Sequence, residues 1–99
     1  MARSISPSVY IMSNISGSVL YTGVTSDLEE RVREHRRGDF GGFTSRYAIC
    51  KVVFVERHPT MMSAIEREKQ IKSWSRRRKV ELIHSLNPTW QDLMPNDEL

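Results

Sequence analysis

Residues 19–35 read VLYTGVTSDLEERVREH, and two kinds of structure follow one another within them. Val19 to Val24 alternates and is rich in β-formers, which predicts a strand. Ser26-Asp27-Leu28-Glu29 predicts a helix start. Ser26-x-x-Glu29 fits a capping box, in which the serine oxygen and the glutamate satisfy opposite unpaired N–H groups. The helix is expected to end near Gly38, a good residue to follow a helix C-terminus. Gly23 lies at the junction and is expected to turn the chain from strand into helix. Tyr21, two residues earlier, either packs or carries chemistry.

Working outward, Val9-Tyr10-Ile11-Met12 predicts a strand, and Asn14-Ile15-Ser16-Gly17 a turn that joins it to the second in a hairpin. Residues 39–50, with Gly41-Gly42, read as a mobile loop. Val52 to Glu56 is apolar enough to be a central strand. Pro59-Thr60 introduces a helix to about Trp74. Ser75 is positioned to cap a third helix, ending near Leu86 because Pro88 disfavours helical geometry at Asn87. The order is β-β-α-β-α-α. It predicts an α+β fold with a small three-stranded antiparallel sheet flanked by helices, one domain over residues 1–99 with its core at about 8–93.

Composition narrows the class. Hydrophobic content of 38% fills a modest core, and 27% charged residues without low-complexity runs argue against disorder. The single cysteine, Cys50, excludes an internal disulfide and suits a reducing compartment. The longest wholly aliphatic or aromatic run is Val52-Val53-Phe54-Val55, far short of the roughly 18 residues of a membrane span. No apolar segment follows Arg3, so no signal peptide is expected, and the location expected is cytoplasmic. His35, His58, His84 and Cys50 lack the close spacing of a zinc site.

The net charge is only +3, but it is unevenly distributed. From Arg67 to Lys79 seven basic residues face Glu68 alone, and Asp92, Asp97 and Glu98 make the tail acidic. This pattern suits a polyanionic partner such as nucleic acid; it equally suits a solvated helix face.

Several residues stand where structure alone does not require them. A four-residue hairpin loop at 14–17 puts Tyr10 opposite Tyr21, whereas a loop centred on Ser16-Gly17 makes them diagonal neighbours. In each register both phenols share one face, as an aromatic pair would. Arg31 and His35, at i and i+4, project from one helix face. The apolar stripe of the second helix is Met61, Ala64, Ile65 and Ile71. Glu68 falls at about 340° from Met61, inside that stripe. A carboxylate there is paired, binds a cation or faces a cleft; Lys72 at i+4 is the structural partner available. Asn87 suits a helix cap.

With these residues assembled, the chain resembles the GIY-YIG nuclease superfamily, in particular its short standalone members related to excision-repair and homing-endonuclease catalytic domains. Ser8-Val9-Tyr10 stands where the family has Gly-Ile-Tyr, and Tyr21-Thr22-Gly23 where it has Tyr-Ile-Gly. The two tyrosines are eleven residues apart. Arg31, the Arg31-x-x-x-His35 spacing, Glu68 in AIEREKQIK and Asn87 in LIHSLNP match the family's later motifs. GFTSRY at 42–47 and KSWSRRRK at 72–79 resemble the standalone members. The departures, Ser8, Val9 and Thr22, remove no expected catalytic side chain.

The resemblance implies a metal-dependent endonuclease that hydrolyses phosphodiester bonds, DNA more than RNA, in repair or recombination. It implies one divalent ion, Mg2+ or Mn2+, on Glu68. One protein carboxylate suits magnesium, which keeps waters and takes substrate phosphate. Arg31 then clamps the phosphate, Tyr21 positions or deprotonates water, and Tyr10 orients water or phosphate. His35 assists proton relay, and Asn87 holds the site or the phosphate. Arg46, Lys72, Arg76, Arg77, Arg78 and Lys79 are the expected backbone-binding residues. Two competing readings are a non-catalytic module with a helix-turn-helix-like basic helix pair and a plain protein-interaction domain. Neither explains Tyr10, Tyr21 and Glu68.

Overall fold

A computed structural model describes residues 6–39 and 42–95. Gly41 and the acidic Asp97 and Glu98 lie outside the described residues. The chain runs β1 (Ser8–Ser13), β2 (Leu20–Thr25), α1 (Leu28–Arg37), α2 (Gly42–Arg46), β3 (Lys51–Arg57), α3 (Met61–Lys72) and α4 (Arg76–Leu86). The strands form an antiparallel sheet in the order β2-β1-β3. The α+β architecture expected from the sequence is present.

The central strand is β1, buried at every position; β3 is an edge. This corrects the expectation drawn from its apolar run. The run has another cause. Ile11 pairs with Phe54 and Met12 with Val52, so Val53 is an extra residue in a bulge. Val53 and Phe54 both pack with Val9, Ile11, Ala64, Ile71 and Ile83, on the side of α3 and α4. Val52 packs with Tyr10, Met12, Leu28, Val32 and Ile49, on the side of α1. A strand that fills both layers is apolar even at an edge.

The hairpin takes the shifted register. Asn14 and Val19 close a loop at residues 15–18, with Asn14 Oδ1 accepting from the Val19 N–H at 3.1 Å. Gly17 takes the left-handed φ of 79° that this loop requires. Tyr10 therefore pairs with Gly23, and Met12 with Tyr21. The phenols are diagonal neighbours.

Two corrections follow at the next junction. Gly23 is not a turn: it is an interior residue of β2. Asp27, rather than Ser26, caps α1, accepting from the Glu30 N–H at 3.2 Å. The Asp27 N–H in turn donates to Thr25 Oγ1. Aspartate's fixed charge at the positive helix end accounts for the choice. Gly38, at φ 78°, ends α1 as expected.

The loop expected at 39–50 contains a missed helix, α2, with Thr44 buried beneath it. Its five residues are too few to show helical periodicity in sequence. Thr60 and Ser75 cap α3 and α4, and α4 stops before Pro88.

Candidate active site

The site is organised around Tyr10. From the central strand its ring passes over Gly23 on the neighbouring strand. A Cβ on Gly23 would overlap Cζ and Oη of Tyr10 and lie 2.9 Å from Cε1. The glycine thus leaves the space the phenol occupies. Tyr10 is fully buried, and its hydroxyl lies 3.0 Å from His35 Nε2.

Burial pushes the Tyr10 phenol well above its ordinary value of 10, and Tyr21 adds to the rise; the charge and a hydrogen bond of Arg31 oppose it. Burial first, and Arg31 second, push His35 down to about 4. At neutral pH the pair is a protonated phenol and a neutral imidazole. Arg31 has only donors, so it takes a lone pair of the phenol oxygen. The phenol proton is then directed to Nε2 in the Nδ1–H tautomer of His35. This corrects the surface alternative for His35, which is 2% exposed and neutral. Tyr10 is held protonated and is unsuited to be a base at neutral pH.

Tyr21 is half-buried. Its ring lies 6.4 Å from that of Tyr10 and 4.9 Å from the imidazole, edge-on to the latter. Arg31, on the same face of α1 as His35, pairs with Glu34 at 3.1 Å and is one-third exposed. α3 packs against β2 and β1, and the charge of Glu68 is felt at the Tyr10 phenol. The Glu68 side chain is 11% exposed and pairs with Lys72 Nζ at 2.7 Å.

The structure therefore gathers Tyr10, Tyr21, Arg31 and His35, while Glu68 on α3 pairs with Lys72. The other predicted residues are placed differently. Asn87 caps α4; its Nδ2 donates to the carbonyls of Val53 and Gln91, and its Oδ1 accepts from the Gln91 N–H. It clamps β3, the sheet edge opposite β2, and does not join the site. Arg76 donates to the carbonyls of Gly17 and Ser18 at 2.6 and 3.1 Å, bracing the hairpin loop. Arg78 stacks on Trp74 at 4.1 Å, and Arg67 lies over the same ring. Arg77 is 90% exposed beside Glu81. Lys79 lies on the same turn of α4. Arg46 lies on α2, over the ring of Tyr47.

α2 supplies what sequence reasoning missed. The Phe43 ring lies 6.2 Å from that of Tyr21 and 4.9 Å from that of Tyr47. The available signal was the i, i+4 spacing of two aromatics inside GFTSRY.

Among the described residues no three His, Cys, Asp or Glu side chains gather as a metal-binding group. The donor set at the site is one nearly buried carboxylate, already drawing a cation to itself in Lys72. That fits a hard divalent ion whose remaining ligands are water and phosphate, and it does not fit zinc.

Comparison with known proteins identifies the family. The GIY-YIG catalytic domain matches residues 6–81. The chain belongs to the GIY-YIG family. It is 40% identical over 74 residues to a UPF0213 protein of Haloquadratum walsbyi, a match covering 75% of this chain and 82% of that protein. A UPF0213 protein of Staphylococcus aureus is 37% identical over 75 residues, covering 76% and 90%. The solution NMR structure of a UPF0213 protein from Bacillus halodurans superposes with a TM-score of 0.57 at 26% identity, over 95% of this chain and 99% of that one. The family points to nuclease chemistry on nucleic acid. No helix among the described residues is long and apolar enough to cross a membrane.

Proposed function

We propose that this GIY-YIG chain is a divalent-metal-dependent endonuclease hydrolysing phosphodiester bonds, with DNA favoured over RNA. The observation that carries the reading is the buried Tyr10 phenol held between His35 Nε2 at 3.0 Å and Arg31, with the nearly buried Glu68 on the neighbouring helix α3. A core has no need of a guanidinium and an imidazole on one hydroxyl, or of a nearly buried carboxylate.

In this reading Glu68 holds Mg2+ or Mn2+. The bound ion would supply charge neutralisation at the scissile phosphate and acidify a water. Arg31 donates its planar fork to non-bridging phosphate oxygens. Tyr10, its proton committed to His35, fixes Arg31 and the imidazole, and so acts on the phosphate through Arg31. Tyr21, half-buried beside them, positions the attacking water by hydrogen bonding, and the proton of the metal-acidified water would be released to solvent. His35, neutral at pH 7 with Nε2 accepting from Tyr10, holds the phenol in place. Lys72 pairs with Glu68 and orients it before substrate arrives. Asn87 acts in this scheme only by fixing β3.

The test is cleavage of a panel of structured DNAs and RNAs with magnesium or manganese, comparing wild type with Glu68→Gln. That substitution keeps the shape of the side chain and removes the charge. The expected result is metal-dependent cleavage by wild type and a loss on the order of 1,000-fold in the variant. Equal cleavage by both proteins would overturn the assignment and leave a nucleic-acid-binding module.

A further inference from the structure

Beside the catalytic rings the protein exposes aromatic surface that no packing requirement explains. Tyr21, Phe43 and Tyr47 form a continuous row, with ring centroids 6.2 and 4.9 Å apart. The row starts at the site and ends in solvent: Phe43 is 49% exposed and Tyr47 39%. Its support is fixed from below. Thr44 is buried, the Ile49 N–H donates to the Thr44 carbonyl, and α2 packs against α1. Arg46 lies over the Tyr47 ring, 5.6 Å from its centroid, and adds positive charge to the outer end.

We propose that Phe43 and Tyr47, with Arg46, form a stacking ledge for an unpaired nucleobase adjoining the scissile phosphate. The ledge therefore selects single-stranded or locally opened substrate over intact duplex. The argument rests on the nuclease reading for the word scissile, but its physical basis is independent. Exposed aromatic faces next to a guanidinium bind bases through stacking and phosphates through charge. In a duplex both faces of each base are covered by its neighbours, so a side-on ledge of this kind is accessible only to a base out of the stack. Continuity with Tyr21 sets the place of that base, immediately beside the bond that Arg31 and Tyr21 address. The occupant is a nucleotide rather than a protein partner because the row is contiguous with the site and carries a cation at its outer end.

The test separates binding from chemistry. Fluorescence anisotropy in EDTA measures affinity for a labelled single strand of about 20 nucleotides and for the duplex of the same sequence. Tyr47→Ala, which leaves the Tyr21 contact intact, and Phe43→Ala should each weaken strand binding about 10-fold. Duplex binding should change less than about twofold. Tyr47→Phe and Phe43→Trp should retain wild-type affinity, because they keep a stacking face. Equal losses on strand and duplex, or no loss on either, would overturn the ledge. So would concentration-dependent self-association that Tyr47→Ala abolishes, since the row would then cover a second copy of the chain. The two readings fail separately. Strand-selective binding without cleavage in magnesium or manganese sinks the nuclease and keeps the ledge. Cleavage with no preference between strand and duplex sinks the ledge alone.

Discussion

The surroundings of Tyr10 and the first turn of α4 are both rich in charge, yet they are built on opposite plans. Around Tyr10, residues from β1, β2 and α1 converge on one phenol. At the start of α4, Arg76, Arg77 and Arg78 diverge. One braces the hairpin, one lies in solvent beside Glu81 and one covers Trp74. In sequence the α4 cluster is the louder signal, because its charges are consecutive. In space the quieter set is the one that meets. A run of like charges along a helix points outward in several directions, whereas residues far apart in sequence gather only where the fold assembles them.

The strongest test of that contrast alters a residue that brings no functional group of its own. Gly23→Ala places a methyl where the Tyr10 phenol lies. The ring is buried and has no free direction, so it must swing off His35. Overpacking of this kind costs about 1–3 kcal/mol. The variant should remain folded at 25 °C, with a lower urea midpoint, and cleavage should fall on the order of 100-fold as Tyr10 and Arg31 lose register. If activity survives within a factor of two, the site does not depend on the phenol's position, and convergence on Tyr10 loses its meaning.

That glycine also marks how far the sequence was legible. The order of the three strands and of α1, α3 and α4, the cap Ser75 and the end at Gly38 follow from local signals, because caps and periodicity are local; the five-residue α2 had none. Three features are not local. Whether Gly23 turns the chain or makes room for a ring depends on the hairpin register, and that depends on which residues close the loop. Whether β3 is central or edge depends on the other layer and on a bulge at Val53 that no composition announces. Whether Asn87 serves catalysis or a cap depends on what lies opposite it, here the backbone of Val53 and Gln91. Sequence gives the donors and acceptors; the tertiary partner decides which of them remain available.

The buried imidazole supplies a pH test of the same plan. His35 is pushed from its ordinary 6.5 down to about 4 in the folded chain. Between those values the unfolded chain binds more protons, so stability rises with pH. The contribution is fully present above about 6.5 and is lost as pH falls through about 4, about 3 kcal/mol in all. In His35→Gln this part of the pH dependence should disappear. Urea denaturation of both proteins at pH 7 and pH 4.5 measures it. If both lose the same stability on acidification, His35 titrates freely and burial beside Arg31 does not hold it neutral.

The smallest expected effects lie in the diverging cluster and discriminate within it. Arg76→Ala removes two hydrogen bonds to the hairpin carbonyls and should cost about 1 kcal/mol, read as a lower urea midpoint. Arg77→Ala removes a solvent-exposed side chain with one loose partner and should move that midpoint by less than about 0.5 kcal/mol. On nucleic acid the order reverses. Arg77 is the guanidinium left for a phosphate, so its loss should lower the dependence of log affinity on log salt by about one phosphate contact, with Arg76→Ala nearly neutral. If all of residues 76–79 are changed and neither affinity nor salt slope moves, this turn contributes nothing to binding. The positive surface that meets the polyanion must then be the one formed by Arg31, Lys72 and Arg46.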